Sequence, residues 1–165
     1  MSRLPKLVVL DLDYTLWPFY AGHEVDYPFV QTANGDILDS SNMILKTFPE
    51  SEEALELLSS TVGTMAAASS GVHAKAAEQL LQLLGWRKHF LCVEVGPGSK
   101  KTHFDIIHRK SLVAYEDMLF FDDEPRNVSE ISALGATAVL VDKTDGLTIA
   151  LVHEGLQRHA GRNLP

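Results

Sequence analysis

Leu7-Val8-Val9-Leu10 runs straight into Asp11-Leu12-Asp13. Four apolar residues without polar alternation predict a strand covered on both faces, as parallel sheets bury their strands. The same texture recurs at Met118-Leu119-Phe120-Phe121 and Ala138-Val139-Leu140-Val141, and in a small-residue version over 64–68. Helical periodicity separates these runs. Ala54, Leu55, Leu57 and Leu58 share one face of a helix that starts after Pro49, with acids in its first turn. Ala74, Ala77, Leu80, Leu81 and Leu84 repeat at three and four up to the stop at Gly85. Residues 102–112, 128–134 and 147–156 read as further helices. Strands alternating with helices predict an α/β fold, a doubly wound parallel sheet forming one domain over 1–165. Residues 18–41 break the rhythm. Val25 to Leu38, with Asn34-Gly35 between its halves, reads as a small β-hairpin flap. It follows the first strand directly, so it is expected above the carboxyl ends of the strands, where open α/β sheets bind ligands.

At 165 residues, 45% apolar and 22% charged, the composition is that of a soluble globular protein with room for one sizeable core. No apolar run approaches the roughly 20 residues that span a bilayer, so no membrane partner is expected. The apolar run at Leu7–Leu10 is cut at once by aspartates and does not read as a signal peptide. Cys92 stands alone and cannot form an internal disulfide, which fits a reducing, cytoplasmic setting. A net charge of −8 disfavours nucleic-acid binding. It also requires local cations wherever an anionic substrate is held. A monomer is expected.

Four short segments could carry chemistry. Asp11 and Asp13, two apart in extended backbone, project to one side. Aspartates at the end of a buried strand are costly unless a cation meets them, and Mg²⁺ is the hard, oxygen-seeking candidate. One such carboxylate can attack while the other handles a proton. A capping or turn role is the plainer reading of Asp-x-Asp taken alone. Asp122-Asp123-Glu124 repeats the theme after Phe120-Phe121, although Glu124 before Pro125 also fits a helix N-terminus. Ser69-Ser70-Gly71 is expected at a helix start, offering a hydroxyl and backbone N–H groups to a phosphate, or simply an N-cap. Lys100, after Gly96-Pro97-Gly98-Ser99, could reach over the site as a point charge. In a doubly wound sheet, acid pair, serine, lysine and acid pair converge on one edge.

In this order the motifs resemble those of the haloacid dehalogenase (HAD) superfamily. Asp11-Leu12-Asp13-Tyr14-Thr15-Leu16 resembles its first motif, Ser69 its second, Lys100 its third and Asp122-Asp123 its fourth. Trp17-Pro18 and the lack of a large cap domain point to one phosphatase subfamily.

The resemblance implies a Rossmannoid sheet and a Mg²⁺-dependent phosphomonoester hydrolase. Asp11 would be the nucleophile, forming an aspartyl-phosphate, and Asp13 the acid and base. Leu12, Ser69, Ser70 and Lys100 would bind phosphate. Asp11, Asp122 and Asp123 would serve the metal, with Asp13 contributing its backbone carbonyl. Substrates would be phosphotyrosine in proteins, a sugar phosphate, or both. Ser70 departs from the subfamily, where an arginine follows the serine of the second motif. The rival readings are a receiver-like signalling module and a non-catalytic phosphate-binding protein on the same scaffold.

Overall fold

In this computed structural model, which describes residues 3–162, the chain opens with β1 (Leu7–Leu10). Three short strands follow, β2 (Val30–Gln31), β3 (Ile37–Leu38) and β4 (Ile44–Leu45). Next come α1 (Ser51–Thr61), β5 (Met65–Ser69), α2 (Ala74–Leu83), β6 (Phe90–Val95) and α3 (Lys100–Ser111). The chain closes with β7 (Met118–Asp122), α4 (Pro125–Ser132), β8 (Thr137–Leu140) and α5 (Ile149–Gly161).

Five parallel strands form the main sheet in the order β6-β5-β1-β7-β8. From β1 the chain works outward to β5 and β6, then returns through α3 to β7 on the other side of β1. The order therefore reverses beside β1, and a crevice opens at the carboxyl ends of the strands there. Side chains of β1 alternate between layers. Val8 and Leu10 join Leu55 and Leu58 of α1, Leu80 and Leu81 of α2, and Val152 of α5. Leu7 and Val9 join Phe104 and Ile107 of α3 and Ile131 of α4. The alanines of β5 leave room on this second face, which large rings fill. Phe104 meets Phe120 edge-on, with centroids 4.8 Å apart. Among the described residues, no helix is long and apolar enough to cross a membrane.

Two strands were not anticipated. β6 is an edge strand whose side chains alternate in burial, with Leu91 turned outward, so it lacks the continuous apolar run of the inner strands. β4 completes a three-stranded antiparallel flap rather than a plain hairpin. Pairing in the flap begins at Val30, not Val25. Its turn is a three-residue loop. Gly35 N–H reaches Thr32 O at 3.0 Å, and Gly35 then takes a left-handed φ of 94°. The flap is docked rather than free. Val25, Phe29 and Ile37 are buried in the core, and Gln79 of α2 accepts from Phe29 N–H at 2.7 Å.

At Gly155, α5 approaches the sheet closely. A Cβ there would lie 2.6 Å from Phe121 Cζ and 3.3 Å from Leu119 Cδ1. Phe121 is locked between layers and cannot yield cheaply. Gly155→Val is expected to destabilise the fold by about 1–3 kcal/mol, the usual range for overpacking. Urea unfolding checks this, and an unchanged midpoint would contradict it.

Candidate active site

Asp11 follows the last residue of β1, and its N–H continues the ladder to Phe121 O at 3.0 Å. That bond aims its carboxylate into the crevice, where it is nearly buried. Oδ1 accepts from Lys100 Nζ at 2.9 Å and Oδ2 from Thr15 Oγ1 at 3.1 Å. Lys100 is the first residue of α3, behind Ser99, which caps that helix. Its ammonium is wholly enclosed and spends its three donors on Asp11, on Asp122 at 2.7 Å and on Ala68 O at 2.7 Å. Burial pushes the Lys100 ammonium down, but Asp11 and Asp122 outweigh it and hold the group above the ordinary lysine range.

Asp122 ends β7. Its Oδ2 accepts from Lys100 and from Asn127 Nδ2 at 3.1 Å, and its Oδ1 from Glu124 N–H at 2.8 Å. Asp123 is freer, with Lys143 Nζ 3.5 Å away. Carboxylate oxygens of Asp11, Asp122 and Asp123 lie within 4.8 Å of one another. Burial pushes Asp11 up to about 7, with Lys100 opposing and Asp123 adding to the rise. Burial and then the Asp11 charge push Asp122 up to about 6, with Lys100 pulling back. Asp123 is also raised by burial, partly offset by a hydrogen bond shared with Asp11. Clustered carboxylates whose pKa values burial and like charge raise suit a hard divalent cation between them. These residues could hold one.

Asp13 is positioned differently. Its Oδ1 accepts from the Trp17 indole N–H at 2.8 Å and from Ala21 N–H at 3.0 Å. Its Oδ2 faces Gly71, where a Cβ would stand 3.2 Å from that oxygen and 3.2 Å from Ser69 Oγ. Burial pushes Asp13 up to about 6, with the Ala21 and Trp17 bonds opposing. The loop that arranges this turns on Tyr14, at a left-handed φ of 58°, whose N–H meets Trp17 O at 2.7 Å. A non-glycine residue in that region is strained and marks a place worth attention. The carbonyl of Leu12 accepts from Thr15 and Leu16, while its own N–H meets no protein acceptor among the described residues.

Ser69 closes β5 and is buried, and Ser70 is exposed with its Oγ 3.3 Å from Gly98 O. The expected helix start is not here. α2 begins at Ala74, capped by His73, whose Nδ1 accepts from Ala76 N–H at 3.1 Å. Residues 70–73 therefore form a loop, and the N–H groups on offer are loop amides rather than a helix terminus. The carboxylate of Asp13 lies outside the acid group that could hold a cation, leaving only its backbone carbonyl for that purpose. Asp11, Asp13, Ser69, Ser70, Lys100, Asp122 and Asp123 all line one cleft of about 430 Å³, whereas the Leu12 side chain is buried and does not. Sequence reasoning missed Thr15, Trp17, Ala21 and Asn127, which orient the acids. Thr15 lies four residues past Asp11, a spacing that a tight turn makes local, but nothing in the sequence marks that turn.

Strand order, buried lysine and converging acids define one class of protein. A family model described as acid phosphatase matches residues 3–162, and the chain belongs to that family. It is 39% identical to human magnesium-dependent phosphatase 1 over 160 residues, 97% of this chain and 90% of that protein. It is 36% identical to a HAD-like hydrolase superfamily protein of Schizosaccharomyces pombe over 158 residues, covering 89% and 91% of the two chains. Among solved structures, a HAD-superfamily hydrolase from Ehrlichia chaffeensis superposes with a TM-score of 0.65 at 10% identity, over 96% of this chain and 98% of that one. The fold is thus the HAD-like one.

The raised acids set the sign of a pH effect. A carboxyl whose folded pKa exceeds its unfolded value stabilises the fold at low pH and loses that contribution as pH rises through the folded value. For Asp11 the window runs from the ordinary aspartate value of 3.8 to about 7. In EDTA at pH 8, Asp11→Asn is expected to melt at a higher temperature than the parent chain, with the gap shrinking toward pH 4. Thermal scans at both pH values check this, and a lower melting temperature for the variant at pH 8 would contradict it.

Proposed function

We propose that this chain is a Mg²⁺-dependent phosphomonoester hydrolase working through an aspartyl-phosphate on Asp11. The observation that carries this reading is the division of labour between two buried aspartates. Asp11 is clamped by Lys100 and faces Asp123. Asp13 has one oxygen held by two donors and the other turned to the open space at Gly71.

Phosphoryl transfer asks for positioning and charge neutralisation above all. A carboxylate oxygen of Asp11 attacks phosphorus in line, and the P–O bond to the leaving group breaks. Asp13, raised to about 6 and so able to keep a proton near neutrality, gives that proton from Oδ2 to the leaving oxygen. It then takes one from the water that attacks the aspartyl-phosphate, releasing phosphate and restoring Asp11. Lys100 offsets the charge on Asp11, while Ser69 Oγ and the free N–H of Leu12 hold phosphate oxygens, with Ser70 alongside. Asp11, Asp123 and the Asp13 carbonyl would hold Mg²⁺, which would supply further neutralisation of the phosphate. Asp122 already has three donors, so its part is to brace Lys100, whereas Asp123 keeps lone pairs to spare. The substrate is a phosphotyrosine side chain or a sugar phosphate, reached through a cleft with no large cap above it. Asp13, placed beside Asp11 where it can activate a water, favours turnover over a stored phosphate, so a small phosphodonor should be consumed many times per chain.

A panel of phosphomonoesters with Mg²⁺ and with excess EDTA tests the reading. Full activity in EDTA would refute it. Asp11→Asn is expected to abolish turnover, because an amide cannot serve as the nucleophile. Asp13→Asn should slow it by about 10²–10⁴, the range for a lost general acid and base. Ser70→Arg should lower KM with kcat nearly unchanged, the signature of binding shared by ground and transition states. An unchanged KM on every substrate would place position 70 away from the phosphate.

A further inference from the structure

His103 is a buried histidine that the proposed mechanism leaves without a role. It sits in the first turn of α3, three residues after Lys100, and does not line the cleft. Its Nε2 lies 3.0 Å from Gly96 O. A carbonyl can only accept, so Nε2 carries the proton and donates to Gly96. Nδ1 is then a bare lone pair, and no donor meets it among the described residues. Burial, and then the Lys100 ammonium, pull the imidazole below the ordinary histidine range, so the ring is neutral near pH 7. A buried nitrogen without a partner is costly, and an apolar side chain would fill the same space without that cost. Histidine at this point is explained by what Nε2 holds. Gly96 is gripped from both sides, its N–H donating to Ser69 O at 3.1 Å and its carbonyl accepting from His103. The turn that follows, Gly96-Pro97-Gly98-Ser99, accepts at Gly98 O from Ser70 Oγ at 3.3 Å and leads directly into Lys100. One imidazole thus ties the end of β5, which carries Ser69, to the helix start that carries Lys100.

We infer that His103 is a positioning residue, whose ring braces the Gly96-Pro97-Gly98-Ser99 turn against the end of β5 and so fixes Ser69 Oγ and the Lys100 ammonium relative to each other. The turn has little stiffness of its own. Two of its four residues are glycine, and Gly98 takes a left-handed φ of 109°. Lys100 depends on that support, since its three donors reach Asp11, Asp122 and Ala68 O at once. A neutral ring suits the task, because a second cation three residues along the same helix would repel the ammonium. The inference rests on the proposed hydrolase reading for what Ser69 and Lys100 do once they are placed.

Three substitutions separate bracing from packing. His103→Gln keeps a donor at the place of Nε2. His103→Met fills the space without a donor, and His103→Asn keeps an amide that falls short of Gly96 O. Having two variants without the bond guards against one of them failing to fold, which far-ultraviolet dichroism checks. The first measurement is kcat/KM of the Mg²⁺-loaded full chain for phenyl phosphate. His103→Met and His103→Asn are expected to lose about 10–10²-fold, the scale of a small misplacement behind a site, while His103→Gln stays within about threefold of the parent. A side chain that only packs would leave His103→Met with the parent's activity per folded chain. That result, or a loss in His103→Gln as deep as in His103→Met, would overturn the inference. The second measurement is hydrogen exchange of the Gly96 amide, which needs neither metal nor turnover. Its protection should fall by about tenfold in His103→Met and His103→Asn and hold in His103→Gln. Equal protection in all four chains would overturn the inference. If the parent chain hydrolyses no phosphomonoester, the hydrolase reading falls, while exchange at Gly96 still judges the brace.

Discussion

One buried ammonium holds this structure's chemistry in place. Lys100 is enclosed, shares its three donors among Asp11, Asp122 and a β5 carbonyl, and so ties three strand ends to the first turn of α3. Burying charges is expensive even when they are paired, and removing the lysine would leave two buried carboxylates uncompensated, at a typical cost of about 3–5 kcal/mol. The helix does not favour the arrangement either. A cation at a helix N-terminus opposes the macrodipole, and α3 has no acid in its first turn to offset Lys100 and Lys101. Lysine at that point is a poor choice for helix stability and an intelligible one for a site.

The rest of the sheet can be read as what brings this lysine to its partners. β1 lies at the centre, so its end is flanked by β5 and β7, and the reversal of strand order opens the crevice beside it. Ala66 and Ala68 keep β5 slim on the α3 side, and Phe104 and Phe120 fill that space. The Lys100 ammonium passes 5.5 Å from the Phe120 centroid on its way to the carboxylates. Packing and chemistry thus share the same residues, and the edge-on contact of Phe104 with Phe120 supports the side from which the lysine enters.

This explains which features were legible in the sequence. Inner strands of a parallel sheet are continuous apolar runs, so their ends, and the acids there, can be found without a structure. Asp11, Ser69 and Asp122 are such ends, and Lys100 stands beside a glycine turn that marks a helix start. β6 was not legible because an edge strand loses the continuous run. The supports of Asp13 were not legible because they depend on a loop conformation. Tyr14 adopts a left-handed φ that its residue type does not announce, and only then do the Trp17 indole and the Ala21 amide reach the same oxygen. The helix expected at Ser69 was displaced for a related reason. His73 is an unusual cap, and it wins because its ring is already held by Tyr27 at 4.7 Å and by the absence of a side chain at Gly22.

The charge balance of the cleft has a further consequence for the proposed chemistry. Asp11, Asp13, Asp122 and Asp123 converge with one enclosed lysine, in a chain that is already at −8. Two like charges 4 Å apart at an effective dielectric of 20 repel by about 4 kcal/mol. A phosphate dianion approaching this set would meet that repulsion from more than one carboxylate, and Lys100 has no donor left to greet it. The loop amide of Leu12 supplies direction but little charge. Ser70 stands where an arginine could have added a cation from the protein itself. The chain therefore leaves most of the compensation to protons at low pH and to a bound cation at neutral pH. The raised acids are the same fact seen from the protein's side. Their reluctance to ionise without a partner is what makes the cleft hospitable to a divalent cation, and through it to phosphate.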